Sequence, residues 1–484
     1  MVLEISPGLL RDEDYAEEEA QGAGLPKVRA PLPQPAEEPK AETKYDEALV
    51  LAQEAWKKKA NEFEADFGKI ETKIHRFPPS IRGLGVRYMA PRAVAIGPYH
   101  RPSLSNENND LWQMERVKEL AAYHFIEESG HSLEEMFSAV SSVQGHARGV
   151  YTREATANME DATFALTMLR DGCFLLQFML MCVGARHELA PSLLYCLSSN
   201  QAVISHDIML LENQIPWIVI DTLRMFRDVP VEGFIVKMGH TLQVCRDDSE
   251  IYTQMKRFLE FDGYKPPHLL GLLHHYKTGR SIAEVLPSSS TDDVERRLRP
   301  VLKTISAIEL QEMGIMLVAS KTTKFIDMGF KKIPISGEIF LAPLLLDEIR
   351  SYWLINMAAF EICTGAEPPV LCSYLAVLAM LMDREDDVHE LRAKRLVQGE
   401  LTNREMLDFF KTLIKHISGG AIYDRILGEI EDYKLKRCIW IKMYSFVYKN
   451  FKTVITVLSI IGVIGGIFKT LGLPLKTLLF LKKH

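Results

Sequence analysis

Apolar positions recur at helical spacing over most of this chain, and two stretches depart from it. From Leu111 onward, Leu111, Met114, Val117, Lys118 and Ala121 fall on one helix face, and the 3.6-residue period then dominates. ATFALTMLRDGCFLLQFMLMCV, residues 162–183, is nearly all apolar but is split by Arg170 and Asp171 into pieces too short to cross a bilayer, so a buried core helix is expected. The first departure runs from Ile70 to His100, IETKIHRFPPSIRGLGVRYMAPRAVAIGPYH. Its Pro78, Pro79, Gly83, Gly85, Pro91, Gly97 and Pro98 forbid a long helix and predict short extended pieces and turns.

The second departure is ISHDIMLLENQIPWIVI, Ile204 to Ile220, where Glu212, Asn213, Gln214 and Pro216 interrupt an apolar run. Drawn as one helix from Asp207 to Phe226, it sets Asp207, Gln214 and Asp221 on one side near Asn213 and Arg224. Ile208, Leu211, Ile215, Ile218, Val219 and Thr222 gather on the other, with Glu212 at their edge. Pro216 cannot bond the carbonyl of Glu212, so the helix is expected to kink or restart there, with the amides of Asn213 and Gln214 serving the freed backbone groups. A carboxylate buried at such a break needs a cation or several donors, and Arg82, Arg92, His100 and Arg170 are the candidates. With Asp171 and Asp207 these residues form an expected structural polar network. The competing reading is an enzyme in which Glu212 is a general acid or base assisted by Asp171, His100 or Arg92.

Both ends differ from the middle. Residues 1–44 are acidic and proline-rich and are expected to be disordered; 45–69, rich in Ala, Glu and Lys, reads as a solvated helix. LPSSSTDDVERRLRP, residues 286–300, reads as a surface loop, and DREDDVHELRAKR, residues 383–395, as a solvated helix face with Glu390 four residues before Lys394. Residues 451–473 are the expected transmembrane helix: Thr453 to Phe468 holds no charge, and Lys469 must snorkel to the headgroups. Gly462 and Gly466 form a small-xxx-small pair that permits self-association. A single span at the C-terminus leaves the bulk of the chain cytosolic.

Composition narrows the function. Apolar residues are 47% and charged residues 25%, as in a globular protein with a sizeable core, and the formal charge of −7 argues against nucleic acid as a partner. Seven widely spaced cysteines and no Asn-x-Ser/Thr acceptor fit reduced thiols in a cytosolic body, and the first residues lack the features of a cleaved signal peptide. GVIGGIFKT, residues 462–470, misses a phosphate loop because Phe468 stands where glycine is needed, and Gly-x-Ser-x-Gly, His-Glu-x-x-His and Cys-x-x-Cys are all lacking. No cofactor, metal or catalytic set is therefore expected. Ser205, His206 and Asp207 are consecutive, a poor start for a triad, and the adjacent His274 and His275 point apart on a helix.

The segments taken together resemble the plant family called domain of unknown function 247. The match lies in IHRFPPSIR at Ile74, PRAVAIGPYH at Pro91, MERVK at Met114, DGCFLL at Asp171, DIMLLENQIPWIV at Asp207, IELQEMGI at Ile308, INMAAFE at Ile355, a Tyr374 helix leading into Asp387, and the apolar C-terminal segment. Arg101 and Pro102 stand where the family usually continues with His-Gly. The resemblance, over roughly residues 70–475, implies a mainly α plant protein: one large helical domain over 70–440 with a short irregular N-terminal segment, a C-terminal membrane anchor and no catalytic residues to carry over. Some grass members are linked to pollen-side self-incompatibility, a property of those members. The expected function is a membrane-anchored interaction module for an unidentified protein partner.

Overall fold

The computed structural model describes residues 42–101, 110–243, 264–279, 305–334 and 336–470. It divides into two units, residues 1–67 and 68–484. In the first, where a solvated helix is expected over 45–69, the structure has α1, Glu42–Phe67, with Leu49, Trp56 and Phe63 exposed. The acidic, proline-rich stretch before it and the 286–300 segment lie outside the described residues.

The second unit is mainly helical. Three short 3-10 turns, Ile70–Thr72, Pro79–Leu84 and Val86–Tyr88, carry the Pro/Gly-rich entry segment. Then come α2 (Asp110–Ser129), α3 (Leu133–Gly149), α4 (Arg153–Thr156), α5 (Asp161–Val183), α6 (Pro191–Ser199), α7 (Gln201–Asp207), α8 (Trp217–Arg224), α9 (Val231–Thr241), α10 (Leu269–Thr278) and α11 (Ala307–Glu312). After a small sheet follow α12 (Glu348–Thr364), α13 (Val370–Leu381), α14 (Glu385–Ala393), α15 (Asn403–Leu413), α16 (Gly420–Lys436), α17 (Cys438–Lys449) and α18 (Phe451–Thr470). Local chemistry sets many of these ends. Ser132 with Glu135, Ser306 with Glu309 and Thr402 with Glu405 form capping boxes that start α3, α11 and α15. Left-handed Gly184 and Gly365 stop α5 and α12.

α5 is the axis of the core. Phe164, Met168, Phe174, Leu176 and Phe178 are fully enclosed, because α2, α3, α8 and α9 pack around it. A helix apolar on all sides needs such a jacket. α12 touches α7, α10 and α13, and α13 packs on α15 and α16. The sheet, with β1 (Ile315–Ala319), β2 (Gly329–Lys332) and β3 (Gly337–Leu341) in the order β1-β3-β2, was not expected. In β1 Leu317 is buried while Met316 and Val318 are exposed, a two-residue period over too few positions to stand out from the helical spacing that dominates after Leu111. β4 (Leu344–Leu345) pairs parallel with β5 (Val397–Gln398). The charge run of α14 is not wholly solvated: Asp387 is buried and accepts the N–H groups of Ile308, 3.0 Å, and Arg384, 2.9 Å.

One expectation needs correction. Asp207 to Phe226 is not one helix. α7 stops at Asp207 and α8 starts at Trp217 behind Pro216, so nine residues of turn replace the kink. Pro216 supplies no N–H and sits where a helix begins. Of the expected transmembrane helix over 451–473 the structure describes α18, to Thr470; α17 and α18 together have the length and hydropathy to cross a membrane but are bent by 83°, so the two do not form one straight span. Among the described residues the helix that qualifies alone is α5, which lies mid-chain and mostly inside the core.

Candidate functional site

The two irregular segments meet. Residues 92–97 are irregular and join no sheet, so their backbone groups need partners from elsewhere. Asp207 Oδ1 accepts the N–H of Arg92 at 2.9 Å, and Oδ2 accepts those of Ala93 and Val94, each at 2.7 Å. Asn213 accepts from Ile96 N–H at 2.6 Å and donates to the carbonyls of Val94 and Asp207, both at 2.8 Å. Asp171 accepts from Gly97 N–H at 3.0 Å. Side chains thus do for this segment what a neighbouring strand would do in a sheet.

The turn between α7 and α8 is held in the same way. Gln214 Nε2 donates to the carbonyls of Ile208, 2.7 Å, and Leu210, 2.8 Å, while its Oε1 accepts Leu270 N–H at 3.1 Å. Asn356 of α12 accepts Leu211 N–H at 2.8 Å and donates to Tyr88 O at 3.0 Å. Tyr151 donates to Gln214 O at 2.9 Å, and burial pushes its phenol well above the usual range. Gly97 has φ +72°, and a Cβ there would stand 2.6 Å from Gln214 O, so glycine is required where the two segments touch.

Glu212 lies at the rim. Its Oε1 accepts Phe77 N–H at 2.7 Å and its Oε2 pairs with Arg76 at 2.9 Å. Arg76, which also lies over the Tyr99 ring at 4.0 Å, replaces every cation expected for this role. Arg82 instead donates to Phe77 O, 3.1 Å; the Arg92 guanidinium reaches Glu348, 2.8 Å, and Tyr352, 2.7 Å; Arg170 pairs with Glu115 at 2.6 Å and contacts Asp171 at 3.3 Å. His100 has no hydrogen-bond partner at its buried Nε2; burial lowers its pKa, with Arg76 adding to that and Glu212 opposing it.

Lys118 and Asn356 are members that sequence reasoning did not assign to the network. The Lys118 ammonium is enclosed, bonded to Ala95 O and Asp171 Oδ1, both 2.7 Å, and paired with Glu115. Burial pushes the Asp171 carboxyl up, but Lys118 and Arg170 outweigh it and hold the group below the usual carboxylate range. A signal was available in each case: a lysine on the apolar face of α2, and an asparagine inside the apolar INMAAFE. His206 donates from Nδ1 to Asp207 at 2.6 Å, since a carboxylate can only accept, and its buried Nε2 has no partner. His274 pairs with Glu361 at 3.1 Å while His275 stacks on Tyr264 at 3.9 Å between centroids.

Chemically, the arrangement spends its carboxylate oxygens on backbone N–H groups and fixed cations. Among the described residues no group of three or more His, Cys, Asp and Glu side chains could hold a metal ion. Burial raises the thiols of Cys182 to about 11 and Cys363 to about 12, far from nucleophilic.

A plant protein family described only as of unknown function, domain of unknown function 247, matches residues 74–465. A UPF0481 protein of Arabidopsis thaliana is 25% identical over 369 residues, covering 72% of this chain and 74% of its own length. No solved structure matches.

Proposed function

Because this chain belongs to the plant family called domain of unknown function 247, whose description names no activity, we propose that it is a membrane-anchored interaction protein. Its helical body is offered to a protein partner, and its C-terminal helix holds it at a membrane. The observation that carries this reading is α18. Its twenty residues reach about 30 Å at about 1.5 Å each, the thickness of a hydrocarbon core. Leu458, Ile460, Ile461, Val463 and Ile464 point around the helix, and all are exposed. An apolar helix left bare on every side is costly in water and at home in lipid. The free, largely buried cysteines fit a body on the cytosolic side. Gly462 and Gly466, one turn apart on α18, offer a close-approach face to a second copy. The polar network serves to lock the body and performs no reaction, which its saturated carboxylates support.

Fractionation tests the anchor. The whole chain fused to a fluorescent protein should pellet with membranes and stay there through high-salt extraction, and a fusion ending at Lys449 should be released by high salt. Equal retention of both after high salt would overturn it.

A further inference from the structure

The C-terminal region is lopsided in charge. Ten lysines and arginines and no Asp or Glu follow Asp432, so a chain of net −7 carries +10 there and −17 before it. Lys436, Arg437, Lys442, Lys449 and Lys452 lie on or beside α17. The helix itself has two faces. Ile441 and Ser445 turn toward the body, where Lys449 pairs with Glu312 at 2.7 Å and the Tyr444 ring passes over Gly314. On the opposite face Ile439, Met443, Phe446 and Val447 follow the i, i+4, i+7, i+8 spacing of an apolar stripe, and none is covered: Ile439 is 85% exposed and Phe446 64%. Lys442 flanks that stripe. At the end nearest α16 a cleft of about 580 Å3 opens between Pro334, Lys436, Arg437, Trp440 and Met443. α18 then leaves at 83°.

We propose that α17 lies flat in the headgroup region of an anionic leaflet, with its outer stripe sunk to the acyl boundary and Lys442 at the lipid phosphates, while α18 turns into the hydrocarbon. This rests on the anchor reading above and adds to it a second, charge-selective contact. The geometry accounts for the bend. A spanning helix and an in-plane helix must meet near a right angle, and an amphipathic helix with cations at its edges is the interfacial type. It also fixes the body's posture, because α17 is clamped to α11 through Lys449 and Glu312. Attraction between a basic strip and anionic lipid falls off within a Debye length, so the cations on and beside α17 supply it and the acidic remainder of the chain contributes little.

Depth-dependent quenching of tryptophan tests this on the full chain reconstituted in vesicles of phosphatidylcholine with or without phosphatidylserine. Trp440 is isolated by difference against Trp440→Phe, and Leu458→Trp in that background reports on α18. With phosphatidylserine present, Trp440 should be quenched about twofold more by lipids brominated near the headgroup than by lipids brominated at mid-chain, since an interfacial helix sinks only about 5–10 Å. Leu458→Trp should show the reverse order. Met443→Ser with Phe446→Ser should abolish the Trp440 quenching while far-UV circular dichroism stays unchanged. If Leu458→Trp is quenched at mid-chain and Trp440 is not quenched at all, the in-plane assignment falls and the anchor stands. If neither is quenched, both fall. Equal Trp440 quenching in phosphatidylcholine alone and in the mixture would overturn the choice of an anionic leaflet.

Discussion

Asp207 and Glu212 look alike in the sequence and do different work. Asp207 is fully enclosed and accepts three backbone N–H groups and His206; Glu212 accepts one N–H and pairs with Arg76, whose side chain is 45% exposed. Asp207→Asn turns an amide donor toward N–H groups that need an acceptor, and should cost about 3 kcal/mol, as broken buried charge networks do. Glu212→Gln keeps one acceptor and loses a water-screened pair, so about 1 kcal/mol is expected. Urea unfolding of the two variants should therefore rank them in that order, and the reverse ranking would show Glu212 to be the hub. Gly97→Ala, at φ +72° and 2.6 Å from a backbone oxygen, should exceed the roughly 1–2 kcal/mol of left-handed strain alone.

Single elements show what could be read beforehand. The core helix α5 was legible because a long apolar run interrupted by Arg170 and Asp171 has few other homes. The break before Pro216 was legible because proline chemistry is local. The identity of Glu212's partner was not, since choosing Arg76 over Arg82 or Arg92 depends on how the 70–101 segment folds back, and neighbouring arginines are equivalent in sequence. The nine-residue turn reads as helix because its apolar residues keep a helical period, although side-chain amides and a few short-range backbone bonds, and not a helical ladder, hold it. α10 yields a prediction of its own. His268 caps it by accepting Gly271 N–H at 3.1 Å, and burial, with His75 and His274 nearby, lowers its pKa to about 3. The unfolded chain binds that proton near 6.5. Between these values the unfolded state holds more protons, so stability rises with pH, by at most about 1.4 kcal/mol per unit, and is complete above about 6.5. His268→Asn keeps a cap acceptor and removes the titration. Its melting temperature should vary less steeply from pH about 4 to 6.5 than that of the wild type, and parallel curves would refute the assignment.

Across the whole second unit, the network joins residues far apart in the chain. Asn356 Nδ2 reaches Tyr88 O, Arg92 reaches Glu348, Trp353 donates to Ser205 O at 3.0 Å, and His416 contacts Ser80 O at 3.2 Å. These bonds bring the entry segment, the α7–α8 turn, α12 and the residues after α15 to one place, so the body is stitched through its irregular parts while its helices supply most of the apolar surface. A lock of this kind makes a claim about cooperativity. If the network couples the body, Asp207→Asn should lower the urea midpoint seen by far-UV circular dichroism, which reports helices everywhere, by the same amount as that seen by fluorescence of Trp353, isolated by difference against Trp353→Phe. If instead the fluorescence transition moved and the helical transition stayed in place, the bonds around Asp207 would fasten only their own neighbourhood. The body would then be a set of separately stable packs, and the saturated carboxylates would need another reason to be there.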